Sequence, residues 1–282
     1  MDYDKNMELD VISLKSNKLI DRIANLVNYL TQDGYTIYMS QTNGEPLLNY
    51  TKVEHLIHKL NNTSGLTYDV LSSLAFDERN NYTSVIKHAK KYIDLFTTYD
   101  IGYTFRWSVH IEYFKDIKHI TDHYKMLIDV LGPVIQPIVM LNKPSDVMKY
   151  TALKYIEPKT IYHLVLTPAG TVTLLNKLTE SQLSTLRDSD DYVRGKHIID
   201  RLMNDDFSFT GTPCHLPLLL NIVEDGTAFS CPNAYHNFYD DDVNIIGNIL
   251  TLTNEQITDL FSPIQSCPYK QCNVCASDTS IL

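Results

Sequence analysis

The residues best suited to chemistry in this chain gather toward its carboxyl end. All five cysteines, Cys214, Cys231, Cys267, Cys272 and Cys275, lie there, and none precedes Cys214. Cys267, Cys272 and Cys275 follow one another with four and then two residues between them. A short loop keeps such thiolates close enough to converge on one soft ion. Cys214 and Cys231 can complete a four-thiolate set. Four thiolates suit tetrahedral zinc or an iron–sulfur cluster, and the spacing does not choose between them. Some of the five could instead be buried free thiols. The odd number argues against a complete disulfide framework.

Other constellations are weaker. His119-Ile120-Thr121-Asp122-His123 puts two imidazoles at i and i+4 with a carboxylate between them. This is faintly like a zinc-peptidase helix, but Asp is a short base and no third ligand suggests itself, so solvent-facing histidines are expected. The run Asp240-Asp241-Asp242 could hold a hard cation and reads more simply as a solvated acidic turn. No Gly-x-Ser-x-Gly elbow and no phosphate-cradling glycine loop occurs in the sequence.

The elements that must position these residues follow from hydrophobic period. Leu19, Ile20, Ile23, Leu26, Val27 and Leu30 mark one helical face over 17–32, ended by Asp33-Gly34. Tyr35 to Met39 reads as a strand, 51–60 as a helix, Leu66 to Phe76 as a strand and 81–96 as a helix. The alternation continues with a strand over 101–111, a helix over 116–131 and a strand from Val134 to Met140. Pro137 warns against a central place for that last strand. Pro144-Ser145-Asp146 looks like a helix start leading to 147–156, and Ile161 to Leu166 like a further strand. Such alternation predicts a parallel α/β sheet, open or rolled into part of a barrel, with ligands at the strands' carboxyl ends. Helical pieces are expected near 179–187 and 191–203. A hairpin turning at Glu224-Asp225-Gly226 follows.

Composition bounds the function. With 282 residues, 44% hydrophobic and 21% charged, the chain suits one large core with a small appendage. A net charge of −10 makes nucleic acid an unlikely general partner. The densest basic run, Lys87-His88-Ala89-Lys90-Lys91, reads as a solvated helix face. No apolar stretch reaches the roughly 18 residues that cross a bilayer, and the first residues lack a secretory pattern. A reducing, cytoplasmic location is the expectation.

The cysteine spacing resembles a known family. Cys214, eleven residues, Gly226, four residues and Cys231 resemble the opening of the SPASM domain of radical S-adenosylmethionine (radical SAM) enzymes. Leu219 to Gly226 is similar to that domain's hairpin. Gly247-Asn248-Ile249, a helix near 254–261 and the closing cysteines also resemble it. The family's module carries seven or more cysteines and two auxiliary [4Fe–4S] clusters. Five cysteines imply one [4Fe–4S] cluster, or a zinc in its place. In the front half, Asn43-Gly44-Glu45-Pro46 resembles the family's Gly-Gly-Glu-Pro segment, which meets the amino group of S-adenosylmethionine. Ser108 stands where the family often has a polar residue near the ribose.

One departure is large. The family's radical-generating cluster needs Cys-x₃-Cys-x₂-Cys after the first barrel strand, and residues 1–213 contain no cysteine. The chain is expected to begin just past that motif, and on ligand count it is not expected to cleave S-adenosylmethionine alone. The resemblance therefore implies a partial parallel (β/α) barrel over 1–167, a connector over 168–212 and a SPASM-like, cysteine-rich domain over 213–282. It implies a metal-binding protein without radical chemistry of its own, taking a peptide, a protein or a small molecule. Two alternatives are a fragment or subunit of a radical SAM maturase that uses the tail cluster, and a zinc-stabilised adaptor.

Overall fold

A computed structural model of the chain describes residues 5–11, 14–41, 46–60, 64–74, 82–132, 135–164, 173–189, 199, 218–230 and 245–260. They form a mixed α/β fold in two compact units. The first unit joins Met1–Ser72, Glu78–Phe105 and Pro213–Gln265; the second joins Ser73–Asp77, Arg106–Thr212 and Ser266–Leu282.

The first unit opens with a strand absent from the sequence reading, β1 (Asn6–Val11). Its signal is present in retrospect, since Met7, Leu9 and Val11 alternate with polar residues. Helix α1 (Asn17–Gln32) follows, and Ser16 caps it by accepting from the Leu19 N–H at 3.2 Å. Gly34, at φ +86°, turns the chain out of that helix into β2 (Thr36–Gln41). A 3-10 turn (Pro46–Asn49), α2 (Tyr50–His58), β3 (Leu66–Ser72) and α3 (Tyr82–Thr98) come next. Strand β4 (Gly102–Val109) runs from the first unit into the second. The basic run on α3 is a solvated face as expected, with Lys87, Lys90 and Lys91 exposed around buried Ala89.

Three late strands complete the first unit: β7 (Leu218–Ile222), β8 (Thr227–Phe229) and β9 (Ile245–Asn248). Strand order in this unit is β4-β3-β2-β1-β7-β8-β9. β1 pairs in parallel with both β2 and β7, and β2 in parallel with β3. β7, β8 and β9 pair antiparallel. Gly226 makes the β7–β8 turn at φ +89°, where an added Cβ would lie 2.8 Å from Asn248 Oδ1. Arg22 of α1 ties down the chain after β9, donating to the carbonyls of Ile249 at 2.7 Å and Leu252 at 2.9 Å.

The sheet's two faces differ sharply in this unit. Met7, Leu9 and Val11, Ile37 and Met39, Leu66, Tyr68 and Val70, and Leu220 and Ile222 are all buried. Their alternation puts them on one face. Phe96 of α3 stacks on Tyr68 at 5.0 Å, and α1 packs on β2, so this face is the one the helices cover. The other face carries Asp10, Tyr38, Ser40, Thr67 and Asp69.

In the second unit the order is β6-β5-β4, with β5 (Ile135–Leu141) parallel to β6 (Ile161–Leu164). β5 is therefore interior, against the warning from Pro137. The pairing with β6 starts one residue later, at Ile138↔Ile161, so that pairing asks no N–H of the proline. Helices α4 (Ile117–Leu131) and α5 (Pro144–Ile156) fill the connections, and α6 (Glu180–Ser189) follows. α5 starts at the proline as expected, with Asp146 accepting from the N–H groups of Asn142 and Lys143 at 3.0 Å. A last helix, α7 (Asn254–Asp259), belongs to the first unit and carries a Thr253/Gln256 capping box. No described helix is long and apolar enough to cross a membrane. The helix expected over 191–203 lies, apart from Ile199, outside the described residues.

Candidate functional site

The polar face of the first unit is built by strand register. Asp10 is the register partner of Ser40 on one side and of Asn221 on the other, and Ser40 is the partner of Asp69. Asn221, Asp10, Ser40 and Asp69 thus form one row across β7, β1, β2 and β3. Register partners in a sheet point to the same side, so the row lies on the face opposite the apolar one. It sits near the carboxyl ends of parallel strands, where α/β sheets bind ligands.

Hydrogen bonds hold three members of the row. Ser40 Oγ donates to Asp10 Oδ1 at 3.2 Å. Thr104 of β4 donates to Asp69 Oδ1 at 2.6 Å, and the Tyr38 hydroxyl lies 3.1 Å from Thr104 Oγ1. A threonine hydroxyl has one proton. Thr104 spends it on Asp69, so Tyr38 donates to Thr104, and the three form a directed chain ending on a carboxylate. Asp69 is fully buried, and its charge adds to burial in pushing the neighbouring Tyr68 hydroxyl well above its ordinary pKa. Asn221 is 1% exposed, and its Nδ2 has no acceptor among the described residues. An unmade buried donor costs about 1–3 kcal/mol. Gln41, fully buried at the end of β2, likewise leaves Nε2 unmatched among the described residues.

The sequence-derived residues distribute unevenly over the structure. Asn43, Gly44 and Glu45 lie outside the described residues. Pro46 is buried at the start of the 3-10 turn, and its carbonyl accepts from Tyr92 at 2.6 Å. Ser108 is a buried residue of β4 in the second unit, 7% exposed. Cys214, Cys231, Cys267, Cys272 and Cys275 all lie outside the described residues, as does Asp240-Asp241-Asp242. Among the described residues no group of three His, Cys, Asp or Glu could hold a metal ion. The five thiolates fit a soft metal by donor chemistry alone.

The paired histidines correct an expectation. His119 is exposed, but His123 is 5% exposed, with its ring 5.1 Å from Trp107 and 5.4 Å from Phe114. Burial, helped by His119, pushes His123 down to about 4. The i, i+4 spacing is real, yet α4 turns one imidazole into the core of its unit.

The residues missed in sequence are those of the row. Asn221 interrupts a strand of aliphatic residues, Leu220-Asn221-Ile222, whereas Asp10 is one polar member of the alternating strand Asn6–Val11. A polar residue inside an apolar strand is the only signal available beforehand.

Comparison with known proteins is sparse. No protein-family model matches the chain, and no curated protein does. A solved structure described as native anSMEcpe with bound AdoMet is similar, at 12% identity over 90% of this chain and 80% of that one, with a TM-score of 0.41. The same protein with bound AdoMet and a Cp18Cys peptide gives 12% identity, the same coverage and a TM-score of 0.40. A xylose isomerase-like TIM barrel/4-hydroxyphenylpyruvate dioxygenase fusion protein gives 12% identity and a TM-score of 0.30, covering 55% of this chain and 26% of that one. At this level of likeness neither fold nor function passes from those chains to this one.

Proposed function

We propose that the chain is a radical-SAM/SPASM-like binding protein with a partial-barrel front and a metal-holding tail. The observation that carries the binding role is the polar row Asn221–Asp10–Ser40–Asp69 on the face of a parallel sheet opposite the one packed by α1 and α3. Stability alone would favour aliphatic side chains at buried strand positions. Polar groups there are explained by a ligand that meets them.

The ligand is S-adenosylmethionine or another polar small molecule or peptide. Residues 43–46 follow directly from the carboxyl end of β2, one strand position beyond the row, which supports a role for Glu45 beside a ligand ammonium. Cys214, Cys231, Cys267, Cys272 and Cys275 supply ligands for one [4Fe–4S] cluster or zinc; such a centre would stabilise the tail or carry electrons. Residues 1–213 hold no thiolate, so radical generation is not assigned to them. Between β1 and α1 the chain runs Ile12-Ser13-Leu14-Lys15-Ser16, a short connection without cysteine. We assign that connection as the counterpart of the family's cluster loop.

The test is calorimetric titration with S-adenosylmethionine, paired with metal analysis of protein purified without oxygen. Binding that Glu45→Ala abolishes, together with iron and sulfide or zinc lost on Cys→Ser substitution, supports the reading. Metal-free protein that ignores S-adenosylmethionine at about 1 mM, a threshold set by ordinary weak binding, would sink it.

A further inference from the structure

We propose that the outer face of α5 is a docking surface for an acidic, amphipathic helix of a partner protein. It is independent of the binding role above, since its residues belong to the second unit and the polar row to the first. Helix α5 is apolar on two sides. Val147, Tyr150 and Leu153 are buried. Met148, Ala152, Tyr155 and Ile156 stand at i, i+4, i+7 and i+8 and make a second stripe on the other side. Met148 is 62% exposed and Tyr155 89%. Of the six exposed large hydrophobic side chains among the described residues, five are Tyr113, Ile117, Met148, Tyr155 and Ile156. Lys149 of α5 holds the segment between Tyr113 and Ile117 against the helix, donating to the carbonyls of Ile111 and Phe114 at 3.4 Å each. Single exposed apolar residues are ordinary on a surface, but a cluster marks a site of contact.

Charge says what covers the stripe. The chain carries −10, yet residues 111–118 and 143–159 hold six lysines against four carboxylates. Lys149 and Lys154 border the stripe, one on each side by helical period. Lys149 meets the two carbonyls, and Lys154 the Thr160 carbonyl at 3.4 Å and the Tyr150 ring. None of the six lysines makes an ion pair among the described residues. The four carboxylates are engaged elsewhere. Asp146 accepts from the N–H groups of Asn142 and Lys143, Asp116 from that of His119, and Glu157 from the Tyr124 hydroxyl. Glu112 lies 3.5 Å from His110 Nδ1. Positive charge without a carboxylate partner therefore edges an apolar stripe, and its complement is an apolar stripe edged with carboxylates. A second copy of the chain would set the same lysines against one another across a two-fold axis. An anionic bilayer is an extended plane that repels the acidic remainder of the chain, whereas a single helix touches this face alone. Tyrosine and methionine are the anchors that protein surfaces favour. From Met148 to Ile156 the stripe runs about 12 Å, two turns along which a second helix packs.

The probe is a synthetic helix of about 18 residues with leucine at i, i+4 and i+7 and glutamate beside the leucines. The control is the same peptide with lysine for glutamate. Fluorescence anisotropy of each labelled peptide, titrated with the full chain, gives the affinities. The glutamate helix should bind with a Kd of about 100 μM or tighter, and at least about tenfold more tightly than the lysine helix. Tyr155→Ser should lose at least about tenfold in affinity while melting with the wild type, because the side chain it removes is exposed. Lys143→Glu combined with Lys159→Glu should lose at least about threefold, and wild-type binding should weaken as salt rises. The peptide comparison needs no variant and holds even if one misfolds. Equal affinity for the two helices, no binding of the glutamate helix, or unchanged affinity in Tyr155→Ser overturns the docking surface. Sedimentation of the chain with phosphatidylserine vesicles, lost in Tyr155→Ser, would give the face to a membrane and overturn the proposal. A monomer–dimer equilibrium in ultracentrifugation that Tyr155→Ser abolishes would give it to a second copy, with the same consequence.

Discussion

Replacing Thr104 by valine isolates the directed chain that ends on Asp69. The substitution keeps the β-branched shape and exchanges the hydroxyl for a methyl. It removes the 2.6 Å hydrogen bond to a fully buried carboxylate and the acceptor of the Tyr38 hydroxyl 3.1 Å away. A hydrogen bond to a charged group contributes about 1.5–3 kcal/mol. The new methyl is half-buried and returns about 0.5 kcal/mol at most. Tyr38 is also half-buried, so its hydroxyl turns to water at little cost. The net expectation is a loss of about 2 kcal/mol. Tyr38→Phe removes the neutral outer link to Thr104 and should cost about 0.5–1 kcal/mol. Once Thr104 is valine, Tyr38→Phe should cost almost nothing further, a coupling of about 0.5 kcal/mol or more. Urea unfolding followed by far-UV circular dichroism measures all three, provided the slope with denaturant stays constant. If Thr104→Val lies within about 0.5 kcal/mol of wild type, or Tyr38→Phe costs more than Thr104→Val, the assigned direction is wrong.

Two further outcomes follow from single residues. His123 is held near 4 when folded, below its ordinary 6.5. The unfolded chain therefore binds the extra proton first, and the stability this residue contributes is complete above about pH 6.5 and drains away toward pH 4, by up to about 3 kcal/mol. Unfolding midpoints at pH 7 and pH 4.5 should converge in His123→Phe relative to wild type, and an unchanged gap would count against burial of a neutral imidazole. Gly226→Ala forces a side chain into φ +89° and against Asn248, whose amide is held by Asp225 O and Leu250 N at 2.9 Å each. A melting-temperature drop corresponding to about 2 kcal/mol is expected, and a neutral substitution would show that the turn relaxes.

Local structure was legible wherever one segment carried its own information. The stripe from Leu19 to Leu30 specified α1, Gly34 ended it, and Pro144 started α5. Gly226 announced a turn, which the structure explains by its positive φ and its closeness to Asn248. Strand β1 was also within reach through Met7, Leu9 and Val11, although so short an alternation beside the terminus competes poorly with longer patterns. The histidine pair shows where legibility stops. Period put His119 and His123 on neighbouring turns of one helix, but only Trp107 and Phe114, from other elements, decided that His123 is buried.

Sequence by itself determined the alternation of strands and helices and the retreat of every thiolate beyond residue 213, because periodicity and composition are properties of the chain read in order. Tertiary structure alone decided the candidate site. Asp10, Ser40, Asp69 and Asn221 are far apart in the chain and share no spacing, since strand register is set by how whole sheets pair and not by any interval between residues. The pairing of β7 with β1 joins the late hairpin to the first strand, and only that long-range contact brings the unmet amide of Asn221 beside the carboxylate of Asp10.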